Sequence, residues 1–292
     1  MFATKEFVSR NNIWNTFCVL SANTNSMKTK SLFLGLILVG SSLSIMANTT
    51  AGGNSFRKLN HSSFKAGEEL RYRLHYGFVD AGEAVLRVKE CDRKINGRSI
   101  LHVEGTGNTI SAFDWFYKVR DRYESYIDAE GVFPWLFIRR VNEGGYVINQ
   151  DYSFMQHKNK VDNGKGKSFD TPDMVQDMIS AFYYARTLDF QNAKPGDVFT
   201  IPMFYDDTNF PLKIKVSGRE TIHVRMGKFR CLKFVPVVEK GRVFKSEEDL
   251  TVWVTDDANK IPLLAKAKIL VGSIKMEVVE YKNLASPISK VK

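Results

Sequence analysis

The side chains that most often bind metal ions occur in this sequence without a recognisable spacing. The five histidines form no His-x-His pair and no HExxH motif, and the cysteines stand far apart from one another. A metal site that can be read from sequence needs ligands at short, fixed intervals. We therefore expect no metal ion, with a site assembled only by folding as the alternative. The histidines are His61, His75, His102, His157 and His223.

Motifs that bind phosphate or activate a nucleophile are incomplete. Residues 165–168 read Lys-Gly-Lys-Ser, like the end of a P-loop, but Val161 stands where the earlier glycine belongs. Gly105 and Gly107 lack the third glycine and the following helix of a dinucleotide site. No G-x-S-x-G elbow follows residue 47. We expect no cofactor and name no catalytic residue, so the sequence favours a protein that is not an enzyme.

Carboxylates occur in two adjacent pairs, at 206–207 and 256–257. Neighbouring residues on a strand point to opposite faces, so neither pair is expected to form an acid–base dyad. An aspartate at the end of a strand more often holds a turn by accepting backbone N–H groups. We predict such structural roles for two aspartates and for the prolines six positions after them: Asp128, Pro134, Asp256 and Pro262.

Aromatic side chains cluster near two predicted turns and are the candidate binding residues. If the sheet curves and a helix covers its open side, these aromatics line an apolar cleft for a lipid or another amphiphile. The alternative is that they fill the core between helix and sheet. The candidates are Trp115, Phe116, Trp135, Phe137, Phe204 and Tyr205.

The elements that must position these side chains are predicted to be mainly β-strands. From Gly67 onward apolar and polar residues alternate, as in Leu70, Tyr72 and Leu74, which is typical of strands with one buried face. Turn signals such as Asn96-Gly97 separate the strands. The pattern predicts an antiparallel curved sheet or an open barrel.

One segment departs from this alternation. Thr171 is an N-cap candidate, Pro172 suits the first helical position, and apolar residues then recur every three or four positions. We predict an amphipathic helix over about 171–188, packed on the sheet.

The strands before and after this helix follow a similar order. Residues 123–152 align with 250–281, so that the two aspartate and proline landmarks coincide. We predict one β domain over 64–283, made of two similar halves at about 67–155 and 196–282 and preceded by a loose segment, 48–63.

The N-terminal region has the order of a secretory signal peptide. Residues 27–47 contain two lysines, an apolar stretch and small residues ending at Ala47, after which cleavage is expected. The apolar stretch is too short to span a bilayer, although a membrane anchor is the alternative. Met27 is then the true start, and residues 1–26 are an upstream extension with no function that we can name. No cysteine follows the apolar run, so we expect neither a lipid anchor nor a transmembrane span after cleavage.

Composition excludes several classes of protein. With 43% hydrophobic residues and three cysteines in 292 residues, the chain is neither disordered, nor a disulfide-stapled miniprotein, nor a multi-span membrane protein. Loss of residues 1–47 removes four cations and one acid, which lowers the net charge from +10 to +7. This charge is diffuse, and an exported protein seldom meets nucleic acid, so we expect no nucleic-acid partner.

Two cysteines, Cys91 and Cys231, remain after cleavage and enter an oxidising compartment. They can pair in a single long-range disulfide, or each can be a small buried residue on a strand.

Several short motifs resemble one family of exported proteins, the domain of unknown function 3108. They are the opening Gly67-Glu68 and the Ala81-Gly82 turn, the helical segment DMISAFYYAR at 177–186, and the closing WVTDD at 253–257 followed by Ile261-Pro262. The resemblance covers roughly 64 to 282. It implies a periplasmic or secreted protein of the Gram-negative envelope, mostly antiparallel β, with no catalytic residues to carry over. The closing pattern is also similar to lipoprotein-carrier proteins, whose half-barrel holds acyl chains.

These observations predict an exported envelope protein that binds a hydrophobic or amphipathic ligand without catalysis. The partners we expect are a lipid or amphiphile, or another envelope protein. The alternatives are an envelope scaffold that docks another protein and a hydrolase whose site is not recognisable in sequence.

Overall fold

The computed structural model describes residues 56–115, 117–236, 249–268 and 272–291. The predicted signal peptide, the segment before it and Phe116 lie outside the described residues.

The described part of the chain contains fifteen strands, two α-helices and a single 3-10 turn at Gln156–Lys158. Helix α1 spans Ser111–Asp114 and helix α2 spans Met178–Thr187. The strands are β1 (Glu69–Tyr76), β2 (Val79–Ile95), β3 (Arg98–Thr109), β4 (Arg120–Asp128), β5 (Pro134–Glu143), β6 (Tyr146–Met155), β7 (Lys160–Asp162), β8 (Ser168–Asp170), β9 (Val198–Tyr205), β10 (Thr208–Val224), β11 (Gly227–Pro236), β12 (Leu250–Thr255), β13 (Pro262–Lys268), β14 (Ser273–Lys282) and β15 (Lys290–Val291).

All the strands belong to one curved, open, antiparallel sheet, as the alternation predicts. The order is β8-β7-β6-β5-β4-β3-β2-β1-β14-β13-β12-β11-β10-β9, with β15 pairing beside β12 on β11. Two meanders, β1–β8 (the first half) and β9–β14 (the second half), therefore join where β1 pairs with β14. Whether the halves are true sequence repeats stays a prediction.

Curvature brings the two ends of this sheet together. The Asn209 amide of β10 donates to the carbonyl oxygen of Asp170 in β8 at 2.8 Å. The extended segment after β8 also pairs with β9, because Gln176 donates to the Pro202 carbonyl and accepts from the Phe204 N–H. The sheet stays open, but its two edges are in contact through these bonds.

Helix α2 starts later than the sequence predicted. Asp177 is the N-cap and forms a capping box with Ser180, each side chain bonding the other residue's backbone N–H at 2.7 and 2.8 Å. The predicted start at Thr171 is wrong, because Met174 has a φ of +50° and Gln176 is occupied by β9. A residue with a left-handed backbone conformation interrupts a right-handed helix.

The helix lies inside the curve of the sheet, and six of its ten residues are buried. Gly105 on β3 makes room for it, since an added Cβ would lie 3.4 Å from Ile179 Cδ1 and 3.1 Å from Leu86 Cδ2. The C-terminal end is fixed by Arg186, which is buried and forms two hydrogen bonds to Glu68 at 2.6 and 2.8 Å. Removing one member of such a buried pair costs roughly 3–5 kcal/mol.

The segment predicted to be loose is ordered in its described part. Ser63 Oγ donates to the Arg186 carbonyl oxygen at 2.7 Å, and Arg57 Nε donates to that of Gly131 at 2.7 Å. Phe56 packs against Phe133 with ring centroids 5.4 Å apart. Residues 56–63 therefore cover one end of the sheet.

The two turns that the sequence treats as equivalent use different aspartates. Asp128 Oδ1 accepts from the N–H groups of Glu130 and Gly131 in the β4–β5 turn. In the β12–β13 turn, Asp257 makes the matching bonds, to Asn259 and Lys260. Asp256, which was predicted for this role, instead accepts from the Arg230 side chain at 3.2 Å. The reason is the length of the turn. The backbone bond that closes the first turn joins Asp128 and Phe133, whereas the one that closes the second joins Thr255 and Ile261, one residue further apart.

No helix in the described part of the chain is long and apolar enough to cross a membrane.

Candidate functional site

The aromatic residues predicted to line one cleft lie in separate places. Trp115 follows α1 and is 83% exposed, whereas Trp135 is buried beside Phe56 and Phe133. The two tryptophans lie near opposite ends of their strands, since Trp115 precedes β4 and Trp135 opens β5. Strand β4 alone has nine residues, a length of roughly 30 Å.

Phe137, Phe204 and Tyr205 fill the interior of the sheet. Tyr152 lies between the two phenylalanines, with ring centroids 6.4 Å from Phe137 and 5.2 Å from Phe204. Tyr205 lies beneath the buried guanidinium of Arg139, and burial raises the pKa of this tyrosine well above its ordinary value. These three aromatic residues are therefore packed in the core, whereas Trp115 is exposed.

The adjacent aspartates of the β9–β10 turn hold this core in place. Arg139 Nη1 donates to Asp206 Oδ1 at 2.9 Å, and the Tyr152 hydroxyl donates to Asp207 Oδ1 at 2.8 Å. The turn of the second half is thereby tied to β5 and β6 of the first. Both carboxylates are used for structure.

An apolar pocket lies on the other side of α2, between this helix and strands β9–β13. Its volume is about 180 Å³. For comparison, an engineered protein cavity of roughly 150 Å³ lined by Leu, Ile and Phe stays dry and binds benzene. The side chains that give the pocket its apolar character include Phe182, Leu212, Ile214, Phe234, Val252 and Val254.

Alternation along three neighbouring strands produces this lining. Leu212 and Ile214 are two residues apart on β10, and Leu250, Val252 and Val254 succeed one another on the same side of β12. Leu212, Ile214 and Val252 are only half-buried. Apolar surface is thus left uncovered inside the pocket, which is the usual lining of a site for a small apolar molecule.

Two cations, Arg186 and Lys260, lie at one end of the pocket. Burial opposes the charge of Arg186, but the hydrogen bonds and charge of Glu68 outweigh it and raise the arginine's pKa. Half-burial lowers the pKa of Lys260, against the opposing charges of Asp189 and Asp257. Among the described residues, Lys260 has no carboxylate within 4 Å, so its ammonium group is available to an anionic group in the pocket.

A pair of buried carboxyl groups lies elsewhere, where β4 begins and β5 ends. Asp121 and Glu143 are 3% and 0% exposed. Burial first, and then the neighbouring Asp121 charge, raise the pKa of Glu143 well above its ordinary value. Such a pair can serve acid–base chemistry only where a substrate reaches it, and the Glu143 side chain is enclosed.

Both remaining cysteines are free thiols, so the disulfide is not formed. Cys91 lies on β2 and Cys231 is buried on β11, and four strands separate these two in the sheet.

Two of the five described histidines bind carboxylates. His75 Nδ1 lies 2.7 Å from Asp80 Oδ1, and His102 Nε2 lies 2.7 Å from Glu124 Oε2. Within the described ranges, no three His, Cys, Asp or Glu side chains come together as a metal site would require.

The fold and the pocket define a class of mainly β protein in which one curved sheet encloses a helix. The model of the family described as "Protein of unknown function (DUF3108)" matches residues 71–279, and the chain belongs to this family. No curated protein matches the sequence.

The chain is similar to several solved structures at very low sequence identity. The chain is similar to a β-barrel-like protein of the domain of unknown function DUF1849 from Brucella abortus, with 11% identity, a TM-score of 0.51, and coverage of 75% of this chain and 98% of that one. A hypothetical protein, CT021, from Chlamydia trachomatis is 8% identical over 79% of this chain and 94% of its own, with a TM-score of 0.36. A Bacteroides fragilis protein described as exported, with a YmcC-like fold, is 11% identical over 77% and 99%, with a TM-score of 0.28. Only the first likeness supports the fold.

Proposed function

We propose that this protein is exported to the periplasm and binds a hydrophobic or amphipathic ligand in the pocket between α2 and strands β9–β13, without catalysing a reaction. The observation that carries the proposal is the apolar lining, in which Leu212, Ile214 and Val252 remain half-buried. Such side chains gain roughly 25 cal/mol for each Å² of apolar surface that a ligand covers.

The two ends of the pocket suggest the chemistry of the ligand. Lys260 lies at one end, while Leu250 and Pro236 lie at the other, about four residues or 13 Å away along β12. A ligand with an apolar chain and an anionic head fits this arrangement, since the chain contacts β12 and the head approaches the ammonium group.

Native mass spectrometry of the purified protein tests ligand binding. We expect a co-purifying amphiphile that is lost in Leu212→Asn, because a polar amide in the pocket opposes an apolar chain. The matched control is Leu136→Asn, the same change at a half-buried position on β5 outside the pocket. Equal occupancy in both variants, or an empty wild-type protein that binds no added fatty acid, would refute the proposal.

Export is a separate proposal that rests on residues 27–47. In a Gram-negative host, we expect the protein in the periplasmic fraction with its N-terminus at Asn48. Intact-mass measurement and N-terminal sequencing of that fraction check the cleavage. A cytoplasmic protein that retains residues 27–47 would contradict it.

A further inference from the structure

Exposed apolar side chains are concentrated at one end of the first half of the sheet. Across the described ranges, eight large hydrophobic residues are exposed, and six of them lie in or beside three neighbouring connections. We call this region the aromatic end, and its residues are Tyr76, Phe78, Val79, Trp115, Tyr146 and Val147.

The strand register fixes these connections at a common end. Tyr76 pairs with Val79 across the β1–β2 turn, and Glu143 pairs with Tyr146 across the β5–β6 turn. Between them, the end of β3 pairs with the starts of β2 and β4, so the connection that contains α1 lies at the same end.

Direct contacts join the three connections into one surface. Ile110 donates its N–H to the Ala81 carbonyl oxygen at 3.1 Å, and Gly144 donates to that of Lys118 at 2.8 Å. The Tyr117 ring packs against Gly144, where an added Cβ would lie 2.5 Å from Cε2. Because neighbouring strands are about 4.8 Å apart, the surface extends roughly 24 Å from β1 to β6.

The exposed residues have the chemistry of a membrane interface. Phe78 is fully exposed at the tip of its turn, Trp115 is 83% exposed, and Tyr146 is 50% exposed. Trp and Tyr are enriched at the level of lipid headgroups, where an amphipathic ring contacts both chains and water. These residues project from separate connections, so a broad, deformable surface can contact them together.

The charges beside these aromatics suit an anionic bilayer. Lys118 is exposed and, within the described residues, has no carboxylate within 4 Å, while Arg120 is exposed and pairs with Asp114 at 2.5 Å. Of the other acids of this region, Asp80 is half-buried and pairs with His75 at 2.7 Å, and Asp121 and Glu143 are buried beneath the surface. An anionic leaflet attracts cations in this position.

We propose that the aromatic end docks on the surface of a lipid bilayer, with Phe78, Trp115 and Tyr146 entering the headgroup region. This inference does not depend on the pocket being occupied. The register also places the start of β12 at this end, through β1, β14 and β13, so docking would bring the Leu250 side of the pocket near the membrane.

Vesicle flotation tests the inference with the full chain and liposomes of phosphatidylethanolamine and phosphatidylglycerol. We expect wild-type protein to float with the vesicles, and Phe78→Ser with Trp115→Ser to weaken partitioning by at least about tenfold, since each buried aromatic is worth more than 1.4 kcal/mol. Val291→Ser is the matched control, because Val291 is also exposed (41%) and pairs with Lys228 at the start of β11, at the opposite end of the sheet. Every variant carries the same N-terminal segment, so differences between variants report on the aromatic end.

The single variant Phe78→Ser is tested as well, because a fully exposed ring contributes little to packing and its loss should not unfold the protein. Far-UV circular dichroism checks the folding of each variant. Absence of wild-type binding to these vesicles would overturn the inference, as would equal losses in Val291→Ser. Self-association that Phe78→Ser abolishes, without vesicle binding, would assign the surface to a second copy of the chain and also overturn it.

Discussion

The two sides of helix α2 contact parts of the sheet that differ in packing: one side is fully packed and the other borders a pocket. Toward the first half, α2 meets a core that contains Tyr123, Phe137 and Tyr152, all at most 1% exposed. Toward the second half, it meets Leu212, Ile214 and Val252, which leave a pocket of about 180 Å³. The difference follows from side-chain volume, since aromatic rings fill the space between helix and sheet and the aliphatic side chains of β10 and β12 do not.

Both ends of α2 bind the first half through side chains. The Ser125 hydroxyl on β4 donates to Asp177 at the N-cap at 2.5 Å, and Arg186 pairs with Glu68 just before β1. The second half also holds the helix, since Arg186 Nε donates to the Asn259 carbonyl oxygen at 2.8 Å and Gln176, next to the N-cap, pairs with β9. The pocket lies between these two attachments to the second half.

The largest expected effect on stability comes from making the same substitution on the two sides of α2. Phe137→Ala should lower the free energy of unfolding by roughly 4 kcal/mol, because the cavity opens in a filled core. Phe234→Ala, the same change at the pocket, should cost about half as much, since its ring already borders empty space. Urea denaturation of both variants measures the two losses. Equal losses would mean that the pocket side is packed as tightly as the core.

A smaller effect concerns pH and the anchored N-terminus of α2. Burial raises the pKa of Asp177 from 3.8 to about 6, so between these values the folded protein binds more protons than the unfolded chain. Stability due to this group is therefore greatest at low pH and falls as pH rises through 6, by about 3 kcal/mol. Asp177→Asn keeps an N-cap acceptor and should remove this decline.

Unfolding free energies of wild type and Asp177→Asn at pH 4, 5, 6 and 7 test the sign of this effect. The unfolding free energy of the variant, relative to that of wild type, should increase as pH increases. A constant difference across this range would show that Asp177 is ionised throughout.

The smallest expected effect comes from filling the pocket. Ala185→Leu places a larger side chain against the pocket and should raise stability by about 1 kcal/mol, as cavity-filling changes commonly do. It should also exclude the amphiphile, as seen by native mass spectrometry. Ala112→Leu, on the exposed surface of α1, is the control and should change neither quantity. Destabilisation by Ala185→Leu would mean that the pocket is too narrow for a ligand chain.

The strands were predictable because a strand's alternation is a local property. Leu70, Tyr72 and Leu74 are buried as the sequence indicates, and the family resemblance is confirmed by residues 71–279. The start of α2 was not predicted, because Thr171-Pro172 reads locally as a helix start, and only the pairing of Gln176 with β9 moves the start to Asp177.

The candidate site was harder to predict than the fold. Aromatic residues near turns were the most visible apolar signal, yet their size makes them fill space, and Trp135, Phe137, Phe204 and Tyr205 are all buried. Trp115 differs from them only through its place at a strand connection. The pocket residues carried a weaker signal, the alternation of ordinary aliphatic residues along β10 and β12.

By itself, the sequence determined that the chain is mainly antiparallel β, which residues of the longer alternating strands are apolar, and which family the chain belongs to. The strand pattern depends on residues that are close together in the chain, and the family is recognised from the order of its motifs along the sequence. Only the tertiary structure decided where the interior is filled and where it is open, and which apolar side chains stay exposed at a common end. Those properties depend on volumes and neighbours contributed by strands more than a hundred residues apart, such as β1 and β14.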